Sequence, residues 1–226
     1  MRRTLLVTND FPPVVGGIQS YLEDYARRLP SGDLVVLAST PPEGPRAAEA
    51  FDATVPFEVV RMPTHVLLPT PDVRARMKRL VAARSIETVW FGAAAPLGLL
   101  GRAAKRAGAT RVIATTHGHE VGWGMVPGAR QLLRRIFRDA DVVTYISDYT
   151  LGRLRPSIPE GTTTLRLPSG IDVDRFRPDP VARAKLRERY RLGEDPTAVC
   201  VSRLVPRKGQ DSLQLEIGRA SCRERV

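Results

Sequence analysis

Short apolar runs alternate along this chain with amphipathic segments of helical period, and that alternation leaves few folds open. Thr4–Thr8, Leu34–Ala38, Phe57–Arg61, Thr88–Phe91, Arg111–Thr115, Val142–Ile146, Thr163–Leu167 and Thr197–Val201 read as strands. Helical patterns lie between them. Ile18, Leu22, Tyr25, Ala26 and Leu29 share one face after Gly16-Gly17. Asp72–Arg84 turns Val73, Met77, Leu80 and Val81 inward and keeps Arg74, Arg76, Lys78 and Arg79 outside. Pro96–Ala107 opens on proline and stops at Gly108. Ala129–Asp139, a short helix from Asp148 capped by Ser147, and Pro180–Arg191 continue the series. Ser39–Ala50 and Met62–Pro71 carry enough Pro and Gly to read as loops. Strand, turn and helix in regular succession predict an α/β fold with a doubly wound parallel sheet.

Size and charge narrow the partners. At 226 residues the chain makes one large domain or one and a half smaller ones, and a hydrophobic share of 42% permits a real core. The formal charge is +11, and only Lys78, Lys105, Lys185 and Lys208 of the 35 basic residues are lysines. A surplus of this sign favours anions: nucleotide phosphates, an acidic membrane surface, or nucleic acid. Nucleic acid is disfavoured, because no aromatic stacking platform or known binding motif accompanies the charge. Cys200 and Cys222 show neither metal nor disulfide spacing, which fits a reducing compartment. Arg2-Arg3 leads into five apolar residues rather than the long apolar core of a signal peptide, and no stretch is long enough to cross a bilayer.

In open parallel sheets ligands gather where strands end, so polar groups there carry most weight. Three such places stand out. Gly16-Gly17 follows the first strand and lets a ligand approach backbone, or simply makes a turn. Thr116-His117-Gly118-His119-Glu120 follows the Arg111–Thr115 strand. His-x-His could ligate a metal, but a third ligand is missing, and a structural turn is the plain alternative. Arg203, Arg207 and Lys208 follow the Thr197–Val201 strand and precede Gly209 and a helix start. Such cations suit a diphosphate, with a solvated basic loop as the alternative, and the spacing is not that of a Walker loop. A nicotinamide-dependent oxidoreductase is disfavoured, because no Gly-x-Gly-x-x-Gly follows the first strand.

Ser202–Asp211 (Ser-Arg-Leu-Val-Pro-Arg-Lys-Gly-Gln-Asp) resembles the diphosphate-gripping loop of retaining GT-B glycosyltransferases of family four. Pro12-Pro13-x-x-Gly16-Gly17-Ile18-Gln19-x-Tyr21 resembles that family's first loop, and Pro168–Asp172 its interdomain segment, with Ser169 where Asn is commoner. Within the family the chain is most similar to the GDP-mannose-dependent phosphatidylinositol mannosyltransferases of the actinobacterial type. The resemblance implies a Rossmann-like fold and GDP-mannose as substrate, with no further cofactor and no metal. It implies that Gly16, Gly17, Arg203 and Lys208 bind the donor and that Gln19 lies near the acceptor. It further implies that a histidine after the Arg111–Thr115 strand contacts the transferred sugar; His117 fits that place best and His119 is the rival. The role implied is hydrogen bonding and polarisation, not nucleophilic attack.

The implied acceptor is a lipid at an anionic membrane surface, so the basic helix Ala129–Asp139 has two readings. Leu132, Leu133, Ile136 and Phe137 line one side, with Arg130, Arg134, Arg135 and Arg138 on the other. Such a helix packs on its sheet, or it makes membrane contact. The expected placement is cytoplasmic, peripheral at the inner face of the cell membrane. The expected domains are residues 1–170 as the acceptor-side unit, 171–180 as a crossing, and 181–213 as the start of a nucleotide-sugar domain that is mostly missing. The family's paired glutamates do not occur in the chain, so this fragment is expected to be inactive. Residues 214–226 are expected to be non-native, since Glu216–Val226 reads like translated sequencing adapter.

Overall fold

Seven strands, all parallel, form one sheet in the order β3-β2-β1-β4-β5-β6-β7. This computed structural model describes residues 3–202, 204–205 and 208–223, the last six by backbone alone. The strands are β1 Thr4–Thr8, β2 Leu34–Ser39, β3 Glu58–Met62, β4 Thr88–Phe91, β5 Arg111–Thr116, β6 Val142–Tyr145 and β7 Thr163–Arg166. β2 is buried at all six positions, as a parallel strand between two neighbours should be. β7 closes one edge and is largely exposed.

Side-chain alternation splits the core between the two faces of the sheet. Leu5, Val7, Val89, Phe91, Val112, Ala114 and Val143 face one layer. It contains α3 (Pro71–Ala83), α4 (Gly101–Arg106), α6 (Pro127–Asp139) and α7 (Asp148–Leu154). Leu6, Val36 and Trp90 face the other, where α1 (Gly17–Arg28) buries Tyr21, Leu22 and Ala26. The order runs outward from β1 to β3, then reverses and runs from β4 to β7. The loops after β1 and β4 therefore part at the switch, and a crevice opens at the carboxyl edge.

Several expectations need correction. Within Ser39–Ala50, expected as loop, α2 starts and runs Pro45–Asp52. Pro45 sits at its first turn after Gly44 at φ +93°, and the Ala- and Glu-rich stretch behind it is strongly helix-forming. A second short helix, α5 (Glu120–Met125), follows β5 where no helix was expected. The helix expected at Pro96–Ala107 begins as a 3-10 turn, Leu97–Leu100. There a Cβ on Gly98 would stand 2.5 Å from Ile136, so the turn is drawn tight against α6.

The chain divides into two compact units, Met1–Ile171 and Asp172–Val226. The second holds α8 (Pro180–Arg189), capped by Asp179 through a bond from Ala182 N, and α9 (Gln210–Arg223). The strand expected at Thr197–Val201 is not formed. Val199 is 79% and Val201 90% exposed, and no strand is described in this unit to pair with them. Extended backbone without a neighbour has no ladder to satisfy its N–H and C=O groups.

Candidate active site

The crevice at the switch point collects the first-unit candidates. Its first wall is the loop from Asn9 to Gly16. Asn9 locks it to the β3–α3 loop by donating from Nδ2 to Leu67 O at 2.9 Å and accepting from Leu67 N. Arg61 on β3 anchors it further. Its guanidinium donates to both oxygens of Asp52 at 2.6 and 3.0 Å, to Ser39 O at 3.0 Å, and to Pro12 O at 2.6 Å. A fixed fork suits this combination of a carboxylate and two carbonyls.

Gly16 is the N-cap of α1, and no side chain caps that helix. The first-turn N–H groups are therefore open to an anion, with the positive end of the helix dipole behind them. A Cβ built on Gly17 would meet nothing within 4 Å, so packing alone does not demand glycine there. A Cβ on Gly16 would stand 2.2 Å from Oε1 of Gln19, which would have to swing away. Gln19 in turn donates from Nε2 to Asp10 Oδ1 at 3.1 Å. Burial raises the Asp10 carboxyl above its usual range, and the nearby His119 partly offsets this.

His117 forms the opposite wall. Its Nε2 lies 2.7 Å from Gly92 O in the loop after β4. A carbonyl can only accept, so Nε2 carries the proton and Nδ1 is left as the acceptor of the neutral ring. Burial holds this imidazole below its usual pKa, against the opposing pull of Gly92 O and Glu120. The rings of Tyr21 and His117 stand nearly perpendicular at a centroid distance of 4.9 Å. The Tyr21 hydroxyl donates to Leu167 O at 2.9 Å, and burial raises its pKa. Gly92 has no room for a side chain, since a Cβ would stand 2.7 Å from Leu22 and 3.0 Å from Thr8. The β4 loop, α1 and His117 are therefore packed as one piece.

His119 stacks parallel to His117 with centroids 6.4 Å apart, and its side chain is 43% exposed. Glu120 is fully buried. Its Oε2 accepts from His117 N at 3.0 Å, while Oε1 lies 3.3 Å from His119 Nε2 without hydrogen-bond alignment. Asp10, Tyr21 and Glu120 thus help build the site although the sequence singled out none of them for it. The signal was present for Asp10 and Glu120: each is a carboxylate placed just past a buried strand end.

Gly16, Gly17, Gln19, His117 and His119 all belong to the first unit. Lys208 is exposed in the second unit, and Arg203 lies outside the described residues. The arginines of α6 are exposed but do not share one direction. Arg130 donates to Gly124 O and Arg134 to Pro156 O, while Arg135 borders a groove against α3 and α4. Leu133, Ile136 and Phe137 are buried in the core, and only Leu132, 41% exposed, is left outside. Most of the apolar side of α6 is thus used by its own sheet, which leaves Leu132 and the cations facing outward. Among the described residues no group of three or more His, Cys, Asp or Glu could hold a metal ion.

A doubly wound parallel sheet with its polar groups at the switch point is a Rossmann-like domain, and solved glycosyltransferases of the GT-B architecture share that fold. HepE of Anabaena in complex with UDP superposes with a TM-score of 0.70 at 16% identity, over 93% of this chain and 56% of that one. Sucrose-phosphate synthase from Thermosynechococcus elongatus gives 0.63 at 16% identity, over 82% and 53%. Glycosyltransferase Family 4 matches residues 15–175, and the chain belongs to that family. It is 55% identical, over 100% of its length, to the GDP-mannose-dependent alpha-(1-6)-phosphatidylinositol monomannoside mannosyltransferase of Mycobacterium tuberculosis, covering 59% of that protein. It is 56% identical to the protein of the same name from Mycolicibacterium smegmatis, over 92% of this chain and 55% of that one. A Corynebacterium glutamicum relative, named as acting on a monoacylated acceptor, is 52% identical over 94% and 56%. The chain thus spans less than two thirds of the length of these relatives.

Proposed function

We propose that this chain serves the transfer of mannose from GDP-mannose to a phosphatidylinositol-type lipid with retention at the anomeric carbon. The observation that carries this reading is the identity of 52–56% to relatives bearing that activity in their names. The gathering of Gly16, Gly17, Gln19 and His117 around one crevice supports it. In this reading the open first turn of α1 seats the donor diphosphate, and the room at Gly17 lets it come close. Arg203 and Lys208 supply the positive charge that meets the departing β-phosphate. His117, kept neutral with Nδ1 as acceptor, takes a hydrogen bond from a hydroxyl of the mannose, and His119 rims the same opening. Gln19, steered by Asp10, faces the acceptor side. The reaction needs no cofactor beyond its donor.

No helix among the described residues is long and apolar enough to cross a membrane. The lipid acceptor brings the protein to an anionic surface, where its exposed arginines supply the attraction, and the expected place is the inner face of the cell membrane. The test is transfer of labelled mannose into a lipid extract. It uses the chain as it stands and a chimera carrying the remaining length of the M. tuberculosis relative. The chimera should label phosphatidylinositol monomannoside from GDP-mannose and not from UDP-glucose. Labelling from UDP-sugars alone would refute the donor.

A further inference from the structure

We infer that Glu120 is a positioning residue of the crevice: it acts through His119, fixing the proton of that ring on Nε2 and leaving Nδ1 as a second neutral acceptor beside that of His117. Glu120 is 0% exposed and stands at the first position of α5, directly after the two histidines. Its two oxygens have different roles. Oε2 accepts from His117 N at 3.0 Å and so closes the turn that carries both rings. Oε1 is the one buried side-chain oxygen or nitrogen among the described residues without a hydrogen-bond partner. A buried acceptor left without a donor bears the full cost of its desolvation, more so when charged, and holding up the turn does not explain it. The donor beside it is His119 Nε2, 3.3 Å away and out of line. The χ2 torsion of histidine is broad, and this side chain is 43% exposed, so a small swing of the ring brings the bond into line.

The two rings then act alike. They lie within 11° of parallel, and Nε2 of His117 is already committed to Gly92 O at 2.7 Å. With Nε2 of His119 committed to Glu120, both neutral rings carry the same tautomer, because the bond made by one ring nitrogen decides which of the two holds the proton. Each ring keeps one unprotonated nitrogen, Nδ1. Such nitrogens accept from hydroxyls and do not attract an anion, so this wall suits the polyhydroxyl part of a ligand, whereas the open first turn of α1 suits its phosphates. Asp10, across the crevice, is the other carboxylate near His119. Its Oδ1 accepts from Gln19 Nε2, and no hydrogen bond or ion pair joins it to His119 among the described residues. That the hydroxyls belong to mannose rests on the proposed function above, whereas the tautomer of His119 does not.

The test begins with the 226-residue chain, isotope-labelled at histidine. Long-range proton–nitrogen spectra in alkaline buffer, where imidazole is neutral, read the tautomer of each ring. His119 should be protonated on Nε2. In Glu120→Gln the amide oxygen still accepts from His117 N, but the amide nitrogen now faces His119 and can only donate. The His119 ring should therefore change to the form protonated on Nδ1. His117, tied to Gly92 O, should keep its tautomer in both proteins, which shows the turn intact. A parent His119 protonated on Nδ1 would mean that the carboxyl donates to the ring, and it overturns the proposal without any variant. A His119 tautomer that Glu120→Gln leaves unchanged overturns it too, and reduces Glu120 to a brace for the turn. The second arm uses the chimera, where Glu120→Gln should lower kcat/KM about tenfold. Adding it to His119→Ala should cost no more than about twofold beyond His119→Ala alone, because residues that act as one do not add. Losses that multiply would overturn the route through His119. A chimera without mannosyl transfer would refute the proposed function and leave the tautomer of His119 to decide the role of Glu120.

Discussion

Gly17 and His117 separate what the fold needs from what a ligand needs. Nothing in the protein occupies the space where a Gly17 side chain would go. Gly17→Ala should therefore leave stability unchanged or raise it by up to about 1 kcal/mol, since alanine is the better helix former. Transfer by the chimera should nonetheless fall at least tenfold. A variant as active as its parent would remove the diphosphate from this turn. His117 makes a prediction of its own. Its folded pKa lies below the ordinary imidazole value of about 6.5. The unfolded chain then binds the proton first as pH falls, so this contribution to stability is complete above about pH 6.5 and is lost below it. The urea midpoint should drop between pH 7 and pH 5, and His117→Gln should flatten that slope. An unchanged slope would mean the ring is not held neutral. The two histidines were legible because they follow a buried strand, whereas the tautomer was not, because it depends on Gly92 O, 25 residues away in sequence.

Elements show where local pattern sufficed and where packing overruled it. β1 and β4 emerge with the expected bounds, because a short apolar run closed by turn residues has one good use in a parallel sheet. α2 was hidden by the prolines and glycine ahead of it, which mark both a loop and a helix start. Its importance lies in Asp52, which holds Arg61 and through it the loop that precedes Gly16. The pair is largely shielded, with side-chain exposures of 12% and 19%. Arg61→Met should cost about 3 kcal/mol, because it leaves a carboxylate and two carbonyls without a donor. Denaturant midpoints check this, and a loss under about 0.5 kcal/mol would show that the loop stands without it. The apolar stripe of α6 was correctly seen, but periodicity cannot tell a core-facing stripe from a membrane-facing one. Burial of Leu133, Ile136 and Phe137 decides that question.

At the scale of the molecule, the sheet order was not legible in detail, yet it creates the site by turning back between β1 and β4. The strand expected at Thr197–Val201 had the right composition but no neighbour to pair with among the described residues, and composition cannot supply one. The proposed reaction needs the anion seat at Gly17 and the ring of His117 to serve one donor. A crystal structure of the chain with GDP-mannose tests that requirement most directly. The account predicts the diphosphate within hydrogen-bond reach of the first-turn amides at Gly17 and the mannose against the ring of His117. Donor bound at the amino edge of the sheet, or clear of both residues, would contradict it.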